Sequence, residues 1–492
     1  TIEGLNGLFD IKKRPLTEKG FKGYDVSFTG SISELKADNL MYRVDISSFY
    51  EKNHAEVLER SEEMLKYMIA DFNDSELSEE ENKIVIGGKC KKCEYRLKDE
   101  QGTKNGYKEC WSDLAYVDNH FFNLTQFGNI FKGVNKQLEL ASLIANKTVT
   151  INDIPDDLFY AAEKKVKKGE LPPPRELAYN GRPYYQKTEK EEFINPEMAN
   201  ILSELEYPLY FIDFETSRMA LPYHKGMRPY EVVAYQWSIH TIGEKNKPID
   251  KNKWHTEWLN VKDSFPNSEF VRTLYKKIKG KGTILIWSSY EKSILTEILN
   301  QYEKYKNNDN KLSDEILNWL REWSLLELAD FDLSKSLKVI DMEKLANKYY
   351  FHPYTNGRTS IKPTLPAAIN AAQSPIIKDW LETFTDSINL YKEENGAIIN
   401  PYNLLPALLI TTISVEKTET DEDNTAVAGS DDYYIKEGGA AMRAYQDMMY
   451  GFAKNDEAKK KTIEDGLKKY CQLDTLAMVI IWHHWKTHFG LV

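Results

Sequence analysis

An apolar run that carries two acids constrains this chain more than any other feature. Residues 207–216 read YPLYFIDFET. The apolar side chains at 209–212 and at Phe214 mark a buried strand, because a strand covered on both faces reads as near-continuous apolar sequence. Asp213 and Glu215 interrupt it. Side chains two apart on a strand point to the same face, so the two carboxylates stand side by side. An unpaired buried carboxylate is costly, and two of them repel unless a cation sits between them. A divalent ion with hard oxygen ligands, Mg²⁺ or Mn²⁺, resolves the conflict. So does a strand end that opens to solvent or meets an arginine.

The chain has 492 residues, enough for two or three domains. With 41% apolar residues and a net charge of −11, it lacks a generally basic coat. A local basic groove stays compatible with that balance. No signal peptide and no apolar run near the length of a membrane span is visible, and the expectation is a soluble cytoplasmic protein with no membrane contact. The chain opens on Thr1 rather than Met, so further sequence is expected upstream.

Residues 1–170 read as a smaller, mostly helical region with a cysteine cluster. The proline-rich stretch ELPPPRELAYNGRPYYQ marks a linker, placed at 171–195. The remaining domain, 196–492, reads as strands followed by helices, which predicts an α/β domain with an open sheet. The strands are expected at FIDFET, YEVVAYQWSIHTI and GTILIWSS. Helices are expected at YEKSILTEILNQYEKY and over the last long segment, IEDGLKKYCQLDTLAMVIIWHHW. On that last helix Tyr470 and Asp474 are four apart and share a face. Cys471 reads as a buried apolar thiol, and His483, His484 and His488 read as packing or surface residues. An acidic stretch, TETDEDNTAVAGSDD, reads as a solvated loop.

The D-x-E strand, an acid opening a helix and Y-x-x-x-D on a late helix together resemble the DEDD exonuclease superfamily in its Tyr subtype. The chain further resembles a bacterial family with a domain of unknown function, similar to these exonucleases, behind a RecB-like region. FIDFET, PYEVVAYQWSIH, IWSSYEKSIL, IDMEKLANKYYFHPYTNGRTSIKPTLP, GGAAMRAY and YCQLDTLAMV carry that likeness in order. The resemblance implies an RNase H-like (DnaQ-like) fold, a mixed sheet flanked by helices. It implies two Mg²⁺ or Mn²⁺ ions held by Asp213, Glu215 and Asp474, with Tyr470 positioning a water. The superfamily's second motif carries Asp, whereas this chain offers Glu291. Glu291 is therefore expected as a ligand, with Asp341 of VIDMEKL supporting it. Ser360 and Lys362 of NGRTSIKPTLP are expected to hold a phosphate.

The segment GGKCKKCEYRLKDEQGTKNGYKECW supplies Cys90, Cys93 and Cys110. Clustered thiolates point to Zn²⁺ or an iron–sulfur (4Fe-4S) cluster. Three cysteines leave one ligand open, either His120 for zinc or a cysteine upstream, as in RecB-like nucleases with an iron–sulfur staple. No RecB-type catalytic run is recognisable in residues 1–90, so no nuclease activity is assigned there. The function expected is exonucleolytic hydrolysis of DNA or RNA, from the 3′ end of a single strand, with Tyr235 and Trp237 available to stack on bases. Two other readings stay open. One is a nucleic-acid-binding module that has lost the chemistry. The other is a scaffold subunit in a defence or repair complex, which suits the acidic balance.

Overall fold

The structure is a computed structural model. It describes residues 9–13, 24–28, 47–73, 86–96, 105–159, 181–224, 227–305, 312–328, 331–406 and 435–491, less a few single positions within 246–252 and 436–437. The chain divides into two compact units, Thr1–Ile86 and Gly87–Val492. The first unit holds an antiparallel pair, β1 (Phe9–Lys13) and β2 (Tyr24–Phe28), and one long helix, α1 (Ser47–Asn73). The strand pair is an addition to the mostly helical expectation for this part. The first part of the linker and the acidic stretch at 418–432 lie outside the described residues.

The second unit begins with short helices around an aromatic core. These are α2 (Gly106–Trp111), α3 (Phe127–Ile130) and α4 (Val134–Ala145). Tyr107, Trp111, Phe121, Phe122 and Phe127 pack there ring against ring. The end of the anticipated linker carries α5 (Arg182–Thr188) and β3 (Phe193–Ile194), followed by α6 (Glu197–Ser203).

The main sheet follows. Its strands are β4 (Leu209–Arg218), β5 (Val232–Ile242), β6 (His255–Leu259), then β7 (Thr283–Ile286) after α7 (Asn267–Ile278). After α8 (Tyr290–Tyr305) and α9 (Asp314–Ser324) comes β8 (Lys338–Asp341), which runs straight into α10 (Met342–Tyr349). The order across the sheet is β6-β5-β4-β7-β8. The first three strands are antiparallel, and β4, β7 and β8 are mutually parallel, so the sheet is mixed. The sheet and its flanking helices make the α/β architecture expected from the sequence. A two-residue strand, β9 (Tyr350–Phe351), pairs with β3. The C-terminal part holds α11 (Ile361–Ala372), α12 (Pro375–Glu382), the small pair β10 (Glu393–Glu394) and β11 (Ala397–Ile398), α13 (Gly438–Tyr450) and α14 (Glu457–His488).

Alternation along β4 separates two cores. Leu209 and Phe211 face the larger core, built with α10 to α14, while Ile212 and Phe214 face α7, α8 and α9. Pairing of β4 with β7 covers only Leu209, Tyr210 and Phe211. From Ile212 onward β4 runs past its parallel neighbour, and that overhang carries both acids. Gly282 fixes where β7 starts. Its φ is +123°, and a Cβ there would lie 2.3 Å from the Pro208 carbonyl oxygen, so only glycine fits. β5 is buried on both faces.

Arg182 is fully buried, and one of its nitrogens donates to the carbonyls of Ala346 (2.6 Å), Asn347 (2.9 Å) and Tyr350 (2.7 Å). It thus caps the C-terminal end of α10, where unpaired carbonyls and the helix dipole favour a cation. Burial lowers its pKa to about 10, so it stays charged at neutral pH. Arg182→Ala leaves buried carbonyls without donors. It is expected to lower the unfolding free energy by about 3–5 kcal/mol in denaturant titration, and a loss well below that would show that water replaces the guanidinium.

Candidate active site

Asp213 and Glu215 share the β4 face that carries Leu209 and Phe211, as the period of two requires. A register shift follows between Glu215 and Thr216, where Glu215 pairs with Gln236 and Thr216 with Ala234. The acids therefore point toward α14. One turn of that helix brings Tyr470, Cys471 and Asp474 to them, since residues three and four apart lie on one face. Asp213, Glu215, Tyr470, Asp474 and Lys362 line one cavity of about 340 Å³. Lys362 enters from the first turn of α11, with its ammonium nitrogen 5.8 Å from the Tyr402 ring centre and 5.9 Å from that of Tyr470. The first glycines of α13, Gly438 and Gly439, edge the cavity without side chains to fill it.

The remaining anticipated residues sit beside this cavity or apart from it. Glu291, in the first turn of α8, is buried, and its Oε2 has no hydrogen-bond partner. Asp341 is also buried but engaged: one oxygen accepts from the backbone N–H of Lys344 (3.1 Å), capping α10, and from that of Ser288 (3.2 Å). Ser360 is the N-cap of α11, makes no side-chain cap bond and does not line the cavity. In the cysteine segment Cys90 and Cys93 are half-buried and Cys110 is exposed. Among the described residues these thiols and His120 do not form a group whose ligand atoms all lie within 4.8 Å of one another. His120 accepts from the Phe122 N–H at 3.0 Å, and burial lowers its pKa to about 4, so its ring is neutral.

Two contacts of the acid cluster escape the sequence reading. The Cys471 thiol donates to Asp213 Oδ2 at 3.2 Å, so it is a polar partner as well as a packed one. The hydroxyl of Tyr402, in the loop after β11, donates to Asp474 Oδ1. A signal for Cys471 existed in its spacing of three from Asp474; Tyr402 had none. Tyr235 and Trp237, anticipated as base-stacking residues, are buried instead. Tyr235 stacks on Tyr445 at 3.8 Å, and the Trp237 indole donates to Thr273 at 3.0 Å. β5 is a covered inner strand, so both of its faces are core.

The electrostatics follow from packing acids together, Glu215, Glu291 and Asp474 buried and Asp213 half-buried. Carboxylates about 5 Å apart repel by on the order of 3 kcal/mol at a realistic interior dielectric. Burial, then the charge of Asp474, holds the Asp213 carboxyl well above its ordinary range. Burial and the charges of Asp213 and Asp474 do the same to Glu215, against the pull of Lys362. For Glu291 the causes are burial and then Asp213. Burial raises Asp474 to about 6, although hydrogen bonds from Tyr402 and Tyr470 and the charge of Lys362 favour its ionised form. These shifts favour the protonated forms of the acids wherever no positive charge stands beside them. The donor set of hard carboxylate oxygens, with a buried oxygen on Glu291 left unpaired, fits divalent ions such as Mg²⁺ or Mn²⁺.

A sequence profile described as a domain of unknown function (DUF2779) matches residues 210–360. The match takes in Asp213, Glu215, Glu291 and Asp341, and it ends before Lys362, Tyr470 and Asp474. No curated protein and no solved structure matches the chain. Among the described residues, no helix is long and apolar enough to cross a membrane.

A carboxyl with a raised folded pKa costs stability as pH rises from its unfolded value to its folded one. For Asp474 that window runs from about 4 to about 6. In chelator-treated protein, the stability of Asp474→Asn relative to the parent should therefore grow from pH 4 to 6 and level off above, by about 3 kcal/mol. Unfolding curves at fixed pH steps measure this. A gap independent of pH would show that burial does not penalise the Asp474 carboxylate.

Proposed function

We propose that this chain is a metal-dependent nuclease of RNase H-like, DEDD-type architecture. Its proposed reaction is phosphodiester hydrolysis on DNA or RNA, from the 3′ end of a single strand. The observation that carries the reading is the meeting of Asp213, Glu215, Asp474, Tyr470 and Lys362 on one cavity. A mixed sheet with the first two acids on an inner strand supports it.

Asp213, Glu215 and Asp474 would hold the divalent ions, with Glu291 rather than Asp341 joining them, because Glu291 keeps an unpaired oxygen while Asp341 caps a helix. Bound there, the ions would supply Lewis-acid activation of water and of the phosphodiester. The chain's own groups do the rest. Lys362 offers a cation to a phosphate oxygen on the open side of the acids. Burial and the charge of Asp474 keep the Tyr470 phenol protonated, so it acts as a hydrogen-bond donor and not as a base. Tyr470 and Tyr402 both donate to Asp474, which fixes that carboxylate and maintains its charge. Tyr470, on the cavity wall, is placed to orient a water as well.

Degradation of end-labelled single-stranded DNA and RNA with Mg²⁺ or Mn²⁺ tests the reading. Asp213→Asn keeps the shape and removes the charge, and it should abolish cleavage while circular dichroism and melting stay near those of the parent. Tyr470→Phe should lower turnover by roughly 10- to 1000-fold, about 1.4–4 kcal/mol of barrier, with little change in KM. Cleavage by Asp213→Asn at the parental rate, or no metal-dependent cleavage of any strand by the parent, would reject a nuclease.

A further inference from the structure

The donors nearest Asp213 are not all hard. Asp213, Glu215 and Cys471 each place one ligand atom so that the three lie within 4.8 Å of one another, and among the described residues they are the one such group. The Cys471 sulfur is 3.2 Å from Asp213 Oδ2 and fully buried. Glu291, 2% exposed and with one unpaired oxygen, feels the charge of Asp213 but lies outside this three-atom group. Hard ions do not take sulfur ligands readily, whereas Zn²⁺ accepts thiolate and carboxylate together.

We propose that Asp213, Glu215 and Cys471 form a site for a thiophilic divalent ion of the Zn²⁺ class, overlapping the position of the hard ions. The proposal rests on reading the acid cluster as a cation site and adds a soft ligand to it. Binding replaces the S–H···O contact. The sulfur–hydrogen bond breaks, the proton leaves to solvent, the sulfur lone pair is shared with the ion, and no electron is transferred. The protein then chooses between two classes of ion by whether Cys471 is engaged. Mg²⁺ and Mn²⁺ use the oxygens and leave the thiol protonated. Zn²⁺ takes the thiolate and occupies the acids that the hydrolytic ions need.

Co²⁺ serves as the spectroscopic probe, because a cobalt–thiolate bond gives a near-ultraviolet charge-transfer band that carboxylates do not. The parent and Cys471→Ser are titrated with Co²⁺ and compared as a difference spectrum, which cancels any contribution from Cys90, Cys93 and Cys110. The serine keeps a hydroxyl donor beside Asp213, so the local packing survives. Asp213→Asn, with the thiol intact, is the second variant. The expected result is a saturable band in the parent, absent from the difference partner and weakened in Asp213→Asn. Zn²⁺ affinity in Cys471→Ser should fall by about 100-fold, while Mn²⁺ affinity, read from its electron paramagnetic resonance signal, is retained. Identical Co²⁺ spectra in parent and Cys471→Ser, or unchanged Zn²⁺ affinity, would overturn the proposal, and Mg²⁺-dependent cleavage would then still stand. A cobalt–thiolate band in a protein that cleaves no strand would keep the metal site and remove the nuclease reading.

Discussion

Repulsion among buried carboxylates is the constraint around which this fold is organised. Asp213 and Glu215 occupy an inner strand, on the face that elsewhere carries Leu209 and Phe211. A chain selected for stability alone would put apolar residues there. The structure keeps the acids and makes room for them. β7 stops pairing after Phe211, α14 brings the turn that holds Tyr470, Cys471 and Asp474 to the gap, and α11 and α13 offer a lysine and two glycines. The inner strand β4 stands where the strand order turns, with β5 and β6 on one side and β7 and β8 on the other. In open α/β sheets such switch points are where ligands bind.

The elements that obey a short period were legible in the sequence. The D-x-E pair is read from a strand period of two, and Tyr470 with Asp474 from a helical turn. The bounds of α8 match the expectation because its pattern and its neighbours agree. Cys471 reads as a buried apolar thiol because it stands inside the late helix, and a thiol shows its polarity only when an acceptor lies opposite. That acceptor, Asp213, is 258 residues away in sequence. Tyr402 was illegible for the same reason, since nothing local links a loop tyrosine to Asp474. Tyr235 and Trp237 were misplaced because alternation predicts which face a side chain takes, not whether that face is covered. Coverage is decided by α7 on one side and by α13 with α14 on the other.

The donors that surround the acids show how the charge is kept. Ion pairs elsewhere, such as Arg321 with Glu303 at 2.8 Å, bring opposite full charges together at the surface. In the cavity the partners of the carboxylates are mostly neutral: two phenols on Asp474 and one thiol on Asp213. A neutral donor orients a carboxylate and favours its ionised form without cancelling its charge. Lys362 adds one positive charge beside the three acids on the cavity wall, where Arg218 is already paired with Glu297. The carboxylate oxygens are thereby held in fixed geometry without a salt bridge, and in the absence of a cation burial favours their protonated forms. A structural salt-bridge network would have been neutralised by arginine, as the end of α10 is by Arg182. Leaving the charge uncancelled costs folding free energy in the metal-free protein, and it is the arrangement a cation site requires.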